Sequence, residues 1–217
     1  MYQLIANTGY FFLLLNLILY IIGFSKFGKA YKIFTAYLAL LVAVQLICVI
    51  LLYCKKVNLF MSHFYFVGQL ILLAVFYFLL VKDVLKKKVI LTGTCAGLVV
   101  LAVQYFFDPS MFFKFNLLEI TITSLLVVFF ALLHLYDMLT DKKEYYFITV
   151  GIIIYLLASA ILFLVGNLTI GLSENLKFLS WTLNAVLVLV NQLFILYEWK
   201  KSFSKKTISQ SKSIRNG

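Results

Sequence analysis

Inside the long apolar stretches of this 217-residue chain, imidazole and carboxylate chemistry comes down to a few side chains. These are His63, Glu119, His134, Asp137 and Glu198. A carboxylate beside an imidazole and amides can bind a proton, a cation or a small polar solute. Ionisable groups are costly in hydrocarbon, so those within a membrane segment face the protein interior and mark where function resides. Glu119 is the leading candidate, because it is the carboxylate set well inside the first half of its stretch.

Spacing shows which groups share a face. Asn116, Glu119, Thr123, Phe130, His134 and Asp137 recur at helical steps, with Leu126 or Val127 filling the gap. Trp181, Asn184, Asn191 and Glu198 form a second stripe, and His63 and Gln69 stand on a third segment. These positions predict an outward-opening, ligand-binding pocket built from His63, Gln69, Asn116, Glu119, Trp181 and Asn184, with Asn191 at its floor. His134, Asp137 and Glu198 are expected together at the opposite membrane face, the first two as a solvated interfacial pair. The competing reading of the Asn and Gln residues is packing, through interhelical hydrogen bonds of roughly 0.6–2 kcal/mol each.

The elements that must carry these residues follow from hydropathy. The chain is 64% hydrophobic and 12% charged, with a mean hydropathy of +1.05, too apolar to clothe a water-soluble globule. A spanning helix needs ~20 apolar residues. Such spans are predicted at about 4–24, 33–54, 59–81, 89–107, 115–137, 145–167 and 178–199, making residues 1–201 a seven-helix transmembrane domain. Runs such as Phe11 to Leu19 are apolar on both faces, which excludes the alternation of a β-barrel. The one proline, Pro109, falls in a connection, so no span carries a proline break. The first stretch lacks a basic region and a cleavage site, and is read as a retained span.

Lysine and arginine set the expected orientation. With connections assigned to alternating sides, the 19 basic residues divide fifteen to four. The richer side holds Lys26, Lys29, Lys32, Lys82, Lys86 to Lys88, Lys142, Lys143 and the C-terminal cluster; the poorer holds Lys55, Lys56, Lys114 and Lys177. The bias of cytoplasmic loops toward Lys and Arg puts the N-terminus outside and the C-terminus in the cytoplasm. Residues 202–217 read as a basic, disordered cytoplasmic tail. The net charge of +11 is strung along membrane edges, which argues against a nucleic-acid partner. Eighteen lysines to one arginine is a usage associated with AT-rich bacterial genomes, so a multi-pass protein of the bacterial inner membrane is expected.

Other chemistries find no support in the spacing. The last span contains no lysine, since Lys177 and Lys200 flank it, so no retinal is expected. Two histidines at opposite faces do not make a metal site, and Cys48, Cys54 and Cys95, in or at the ends of spans, read as membrane-buried thiols. No phosphate-binding glycine loop, CxxC pair or GxSxG elbow occurs, and Ser62 and His63 diverge on a helix. No catalytic residue, metal or cofactor is therefore expected, and a non-enzyme is favoured. Gly93 and Gly97 have the GxxxG spacing that admits a close helix, expected to be one of this chain's own.

Asn58 to His63, Gly151 to Tyr155, Asn167, Asn184 and Asn191 carry a resemblance. Through them the chain resembles a group of small seven-helix bacterial integral membrane proteins. The resemblance implies a fold and a membrane, and no activity. In similar proteins the position six after the His is often Glu; here it is Gln69, which implies that a function shared by the His and the acid is either lost or served by a carboxylate moved to Glu119. Transporters built as three helices, a linker and three offer another comparison. Val67 to Leu70 and Val190 to Leu193 are faintly alike, but their different distances from the predicted span ends read as chance.

The residues thus predict a sensor or accessory subunit, with the lipid bilayer, a small polar ligand and a membrane protein as partners. A transporter of a small polar solute and an intramembrane lipid-modifying enzyme acting through His63 and Glu119 are the alternatives.

Overall fold

In hydrocarbon a chain satisfies its backbone polar groups by closing each segment into a helix. The computed structural model describes residues 2–140, 143–168 and 174–204, without the side chains of 168 and 174–177. Among these residues there is no strand, and the elements are α1 (Tyr2–Ile22), α2 (Lys29–Tyr53), α3 (Met61–Leu80), α4 (Val84–Phe107), α5 (Leu117–Asp137), α6 (Tyr146–Leu168) and α7 (Glu174–Glu198). A 3-10 helix, Pro109–Phe113, lies between α4 and α5, and a π-helical turn, Trp199–Phe203, prolongs α7. All seven long helices are apolar enough to cross a membrane, so the protein is a polytopic helical membrane protein. Lys142, the Lys177 side chain and the predicted tail beyond Ser204 lie outside the described residues.

Several helices outrun their predicted spans, because hydropathy marks the hydrocarbon edge rather than the last hydrogen bond. At the start of α4 the Asp83 carboxylate accepts the Leu85 amide at 2.8 Å, capping a first turn that carries Lys86 and Lys87, with Lys88 just beyond it. Asn116, expected on the face of a span, is instead the cap of α5, accepting the Glu119 amide at 3.2 Å.

Short connections make successive helices antiparallel. The odd-numbered helices therefore start at the end of the bundle that holds residue 2, here the N-terminal end, and finish at the opposite end. Six helices close a ring in the order α1, α2, α3, α5, α6, α7, with α7 packed back on α1. The remaining helix, α4, lies outside against α3 and α5, where a Cβ on Gly97 would come within 2.6 Å of the Leu126 side chain. The glycine pair is thus used within the chain. Three helices precede α4 and three follow it.

The ring is sealed at mid-depth by Leu70 and Leu73 of α3 and Val127 and Phe130 of α5, all fully buried. Nearer the opposite end, aromatic rings from several elements meet. Tyr20 stacks on Tyr31 at 4.9 Å, Phe34 meets Phe76 at 5.2 Å, and Phe203 contacts Tyr31 at 4.9 Å and Tyr145 at 5.4 Å. Such pairs add about 0.5–1.5 kcal/mol each beyond their burial. The contacts hold Tyr145 at φ 56°, a left-handed conformation unfavourable for a side chain of its size.

Candidate functional site

Local rules at the start of α5 deliver Glu119 to the interior. With Asn116 as cap, Glu119 is the third helical residue, the place from which a capping-box carboxylate usually folds back to the cap amide. Here it turns inward instead. The helix N-terminus still favours its negative charge.

Glu119 Oε2 is in direct hydrogen-bond contact with His63 Nδ1 of α3, and both side chains are nearly inaccessible, at 1% and 4% exposure. Tyr105 of α4 donates its hydroxyl hydrogen to the same carboxylate oxygen at 2.9 Å and lies 2.8 Å from His63 Nδ1. On its far side, His63 Nε2 donates to the Phe112 carbonyl at 2.9 Å, and the two rings stack at 5.1 Å. A carbonyl only accepts, so Nε2 carries a hydrogen. One further proton then lies between Nδ1 and Oε2, held as imidazolium and carboxylate or as neutral imidazole and carboxylic acid.

Amides brace the group. Asn116 and Gln104 exchange hydrogen bonds of 2.9 and 3.2 Å, and Asn116 also donates to the Tyr105 hydroxyl at 3.2 Å. Within this framework Glu119 Oε1 is buried and has no partner, so an acceptor is held ready for an incoming hydrogen-bond donor. The 3-10 turn that carries Phe112 covers the cluster. It is itself fixed by Asp108, which accepts from the Ser110 amide and hydroxyl at 3.1 and 2.6 Å. The Ser110 hydroxyl bond, more than any other contact, holds the Asp108 carboxyl below its ordinary 3.8.

The seven predicted site residues do not meet in one pocket. His63, Asn116 and Glu119 form the cluster just described. Trp181 and Asn184 line a separate groove of ≈410 Å³ with Leu59, Phe115, Phe163 and Asn167, and Asn184 accepts from Ser159 at 2.7 Å. Gln69 lies deeper, taking a hydrogen bond from Tyr37 at 3.2 Å, while Asn191 is buried near Gly151 with Oδ1 unpartnered. Ring closure explains the separation: α3 and α5 are neighbours, whereas α7 meets α6 and α1.

At the opposite end His134 and Asp137 line one cavity, without bonding each other, and Glu198 stands apart. Asp137 forms an ion pair with Lys86 of α4 rather than with His134, which is buried and bonds the Glu144 carbonyl at 3.0 Å. Glu198 accepts the Phe147 amide at 2.8 Å, placing a carboxylate on the first turn of α6. Sequence reasoning missed Gln104, Tyr105 and Phe112. Their only signal is a Gln–Tyr pair at the end of an apolar run and a connection rich in Phe. Among the described residues no three His, Cys, Asp or Glu side chains are grouped to hold a metal ion.

The chain matches no protein-family model, and no curated protein or solved structure shows significant similarity to it.

Proposed function

We propose that the protein is a sensor or accessory subunit of the bacterial inner membrane, N-terminus outside, that responds to a proton, cation or small polar solute at the His63–Glu119 cluster. The observation that carries this reading is the His63 Nε2 bond to the Phe112 carbonyl. It ties the charge state of a buried pair to a connection at the membrane surface. A donor arriving at Glu119 Oε1 competes for the carboxylate, shifts the proton on His63 and changes its hold on Phe112. A partner in contact with residues 109–113 reads the change. The broad exposed flank of α4 offers such a partner an apolar contact.

Hydrogen exchange of the full chain in nanodiscs tests this reading. Protection from exchange at residues 109–115, followed above the acid range in which Asp108 takes up its proton, is expected to change with pH in the wild type and to stay flat in Glu119→Gln. Flat exchange in both proteins overturns it. A reporter fused after Gly217 tests orientation, with cytoplasmic activity expected.

A transporter is the second reading, favoured by one observation. Three helices precede α4 and three follow it, with α4 outside the ring they form. Two three-helix halves flanking a peripheral α4 are an arrangement used by transporters with parallel repeats. Solute uptake into proteoliposomes that collapses in Glu119→Gln would select this reading over the first.

A further inference from the structure

The groove between the last turns of α6 and the first half of α7 is separate from the His63–Glu119 cluster and has a different chemistry. Its ≈410 Å³ falls within the ~300–1,000 Å³ of ordinary ligand pockets. Leu162 and Phe163 of α6, Trp181 of α7 and Phe115 of the connection before α5 form its apolar walls, with the Phe115 and Phe163 rings 5.7 Å apart. Asn167, Ser180 and Asn184 supply the polar atoms. Among the described residues no charged side chain lines it. Two of the lining groups are hydrogen-bond donors with nothing to bond. Asn184 engages the Ser159 hydroxyl through its carbonyl oxygen, at 2.7 Å. Its Nδ2 makes no hydrogen bond among the described residues, yet it is not one of the unpartnered atoms shut off in the interior, so it is open to what enters the groove. The Trp181 indole N–H, which can only donate, is likewise unbonded among the described residues, on a side chain 62% exposed.

These features narrow the occupant. An ion would enter without a counter-charge. A polyol needs a polar partner for each hydroxyl, and three polar side chains do not supply them. The acyl chain of a bilayer lipid suits the walls but covers the Asn184 donor without bonding it, at about 1–3 kcal/mol. A neutral lipid whose head carries a carbonyl oxygen meets every condition. It brings no charge, it accepts from Asn184 and Trp181, and it reaches the groove from the bilayer, at the interfacial level that tryptophan favours.

We infer that this groove binds the head of an uncharged lipid through a carbonyl oxygen, which accepts a hydrogen bond from Asn184 Nδ2, with the Trp181 N–H as second donor. The carbonyl belongs to a quinone ring held among the aromatic walls or to the ester of an acylglycerol.

The test uses the full chain in nanodiscs of diether phosphatidylcholine, which brings no carbonyl of its own, with tryptophan emission as the readout. The chain has two tryptophans, and Trp199 lies at the other end of the bundle, where it bonds the Leu19 carbonyl. Decylubiquinone and dioctanoylglycerol are titrated separately, and a saturable change with at least one of them is expected. Dodecylbenzene, which has a ring and a chain but no oxygen, should bind about ten-fold more weakly, as loss of one or two hydrogen bonds requires. Asn184→Leu, close in size, should weaken binding of the responding probe about ten-fold. That change also removes the partner of Ser159, so a second variant leaves the polar contacts alone. A Cβ on Gly166 meets nothing closer than Ser180 at 3.7 Å, so Gly166→Leu keeps the fold, fills the groove and should abolish the saturable change. Trp181→Phe should remove the signal. No saturable change with either probe, equal binding of dodecylbenzene, binding unaffected by Asn184→Leu, or a change that survives Gly166→Leu or Trp181→Phe overturns the inference. A response to decylubiquinone alone assigns the carbonyl to a quinone, and a response to dioctanoylglycerol alone assigns it to an acylglycerol. A response to both shows that the carbonyl itself is recognised, and each of these three results upholds the site.

Discussion

His63 and Glu119, 56 residues apart in the chain, meet through Nδ1 and Oε2 while the other imidazole nitrogen holds the Phe112 carbonyl at 2.9 Å. Three segments thereby become mutually dependent. Removing one member of a buried pair leaves the other uncompensated, at about 3 kcal/mol or more. Glu119→Gln and His63→Gln are each expected to destabilise the protein by that order in reversible unfolding from mixed micelles. The double variant should lose less than the sum, with an interaction of at least about 1 kcal/mol. Strict additivity would show that the two side chains do not act as a unit.

Gly97 sets the distance between α4 and α5. A methyl group there would stand 2.6 Å from the tip of the Leu126 side chain, which is half-buried and can swing aside. Gly97→Ala is therefore expected to change stability by less than about 1 kcal/mol, the helix propensity gained offsetting the repacking. Gly97→Leu, too large for one rotamer change to absorb, should cost about 1–3 kcal/mol. A Gly97→Leu protein as stable as the wild type would mean that α4 shifts freely.

Phe203 lies beyond the predicted last span, yet it is buried against Tyr31 and Tyr145. Phe203→Ala is expected to lower stability by about 3–5 kcal/mol, the range for a truncated core aromatic. If residues past 201 were a free tail, the change would be silent in the same unfolding assay.

Glu198 is bonded to the Phe147 amide at 2.8 Å and to the Ser202 hydroxyl at 2.5 Å. Glu198→Ala should cost about 1–2 kcal/mol, comparable to losing a helix cap. Hydrogen exchange should rise first at residues 146–149, the first turn of α6. Uniform loss of protection would assign Glu198 a different role.

The Asp108 carboxyl is held below its ordinary 3.8, chiefly by the Ser110 hydroxyl. Its contribution to the 109–113 turn is therefore complete above the unfolded value and is lost as pH falls through the lower folded one. Exchange at residues 109–113 is expected to increase on acidification below pH 3.8 in the wild type, and Ser110→Ala should shift the rise to higher pH. No change between the two proteins would exclude the contact as a fastener of the turn.

Much of the architecture was legible in the chain. Seven apolar runs long enough to span a bilayer, with Pro109 outside them, dictate helices because each backbone must close its own hydrogen bonds in lipid. The stripe on α5 was also legible, since helical periodicity assigns Glu119, Thr123 and His134 to one buried face. Periodicity says nothing about which helix faces which. Gln69 shares its helix with His63 yet bonds Tyr37, and Asn184 shares the predicted depth of Glu119 yet bonds Ser159.

The sequence by itself determined the helices, their apolar character and the inward turn of costly groups, because these depend on transfer from water to hydrocarbon, residue by residue. Only the tertiary structure decided that α3 and α5 are neighbours, that α4 stands outside the ring, and that Tyr105 and Phe112 complete the cluster. The physical reason is that helix order rests on shape and packing among side chains that are all comparably apolar. Hydropathy cannot rank those contacts; steric fit at positions such as Gly97 and Leu126 can.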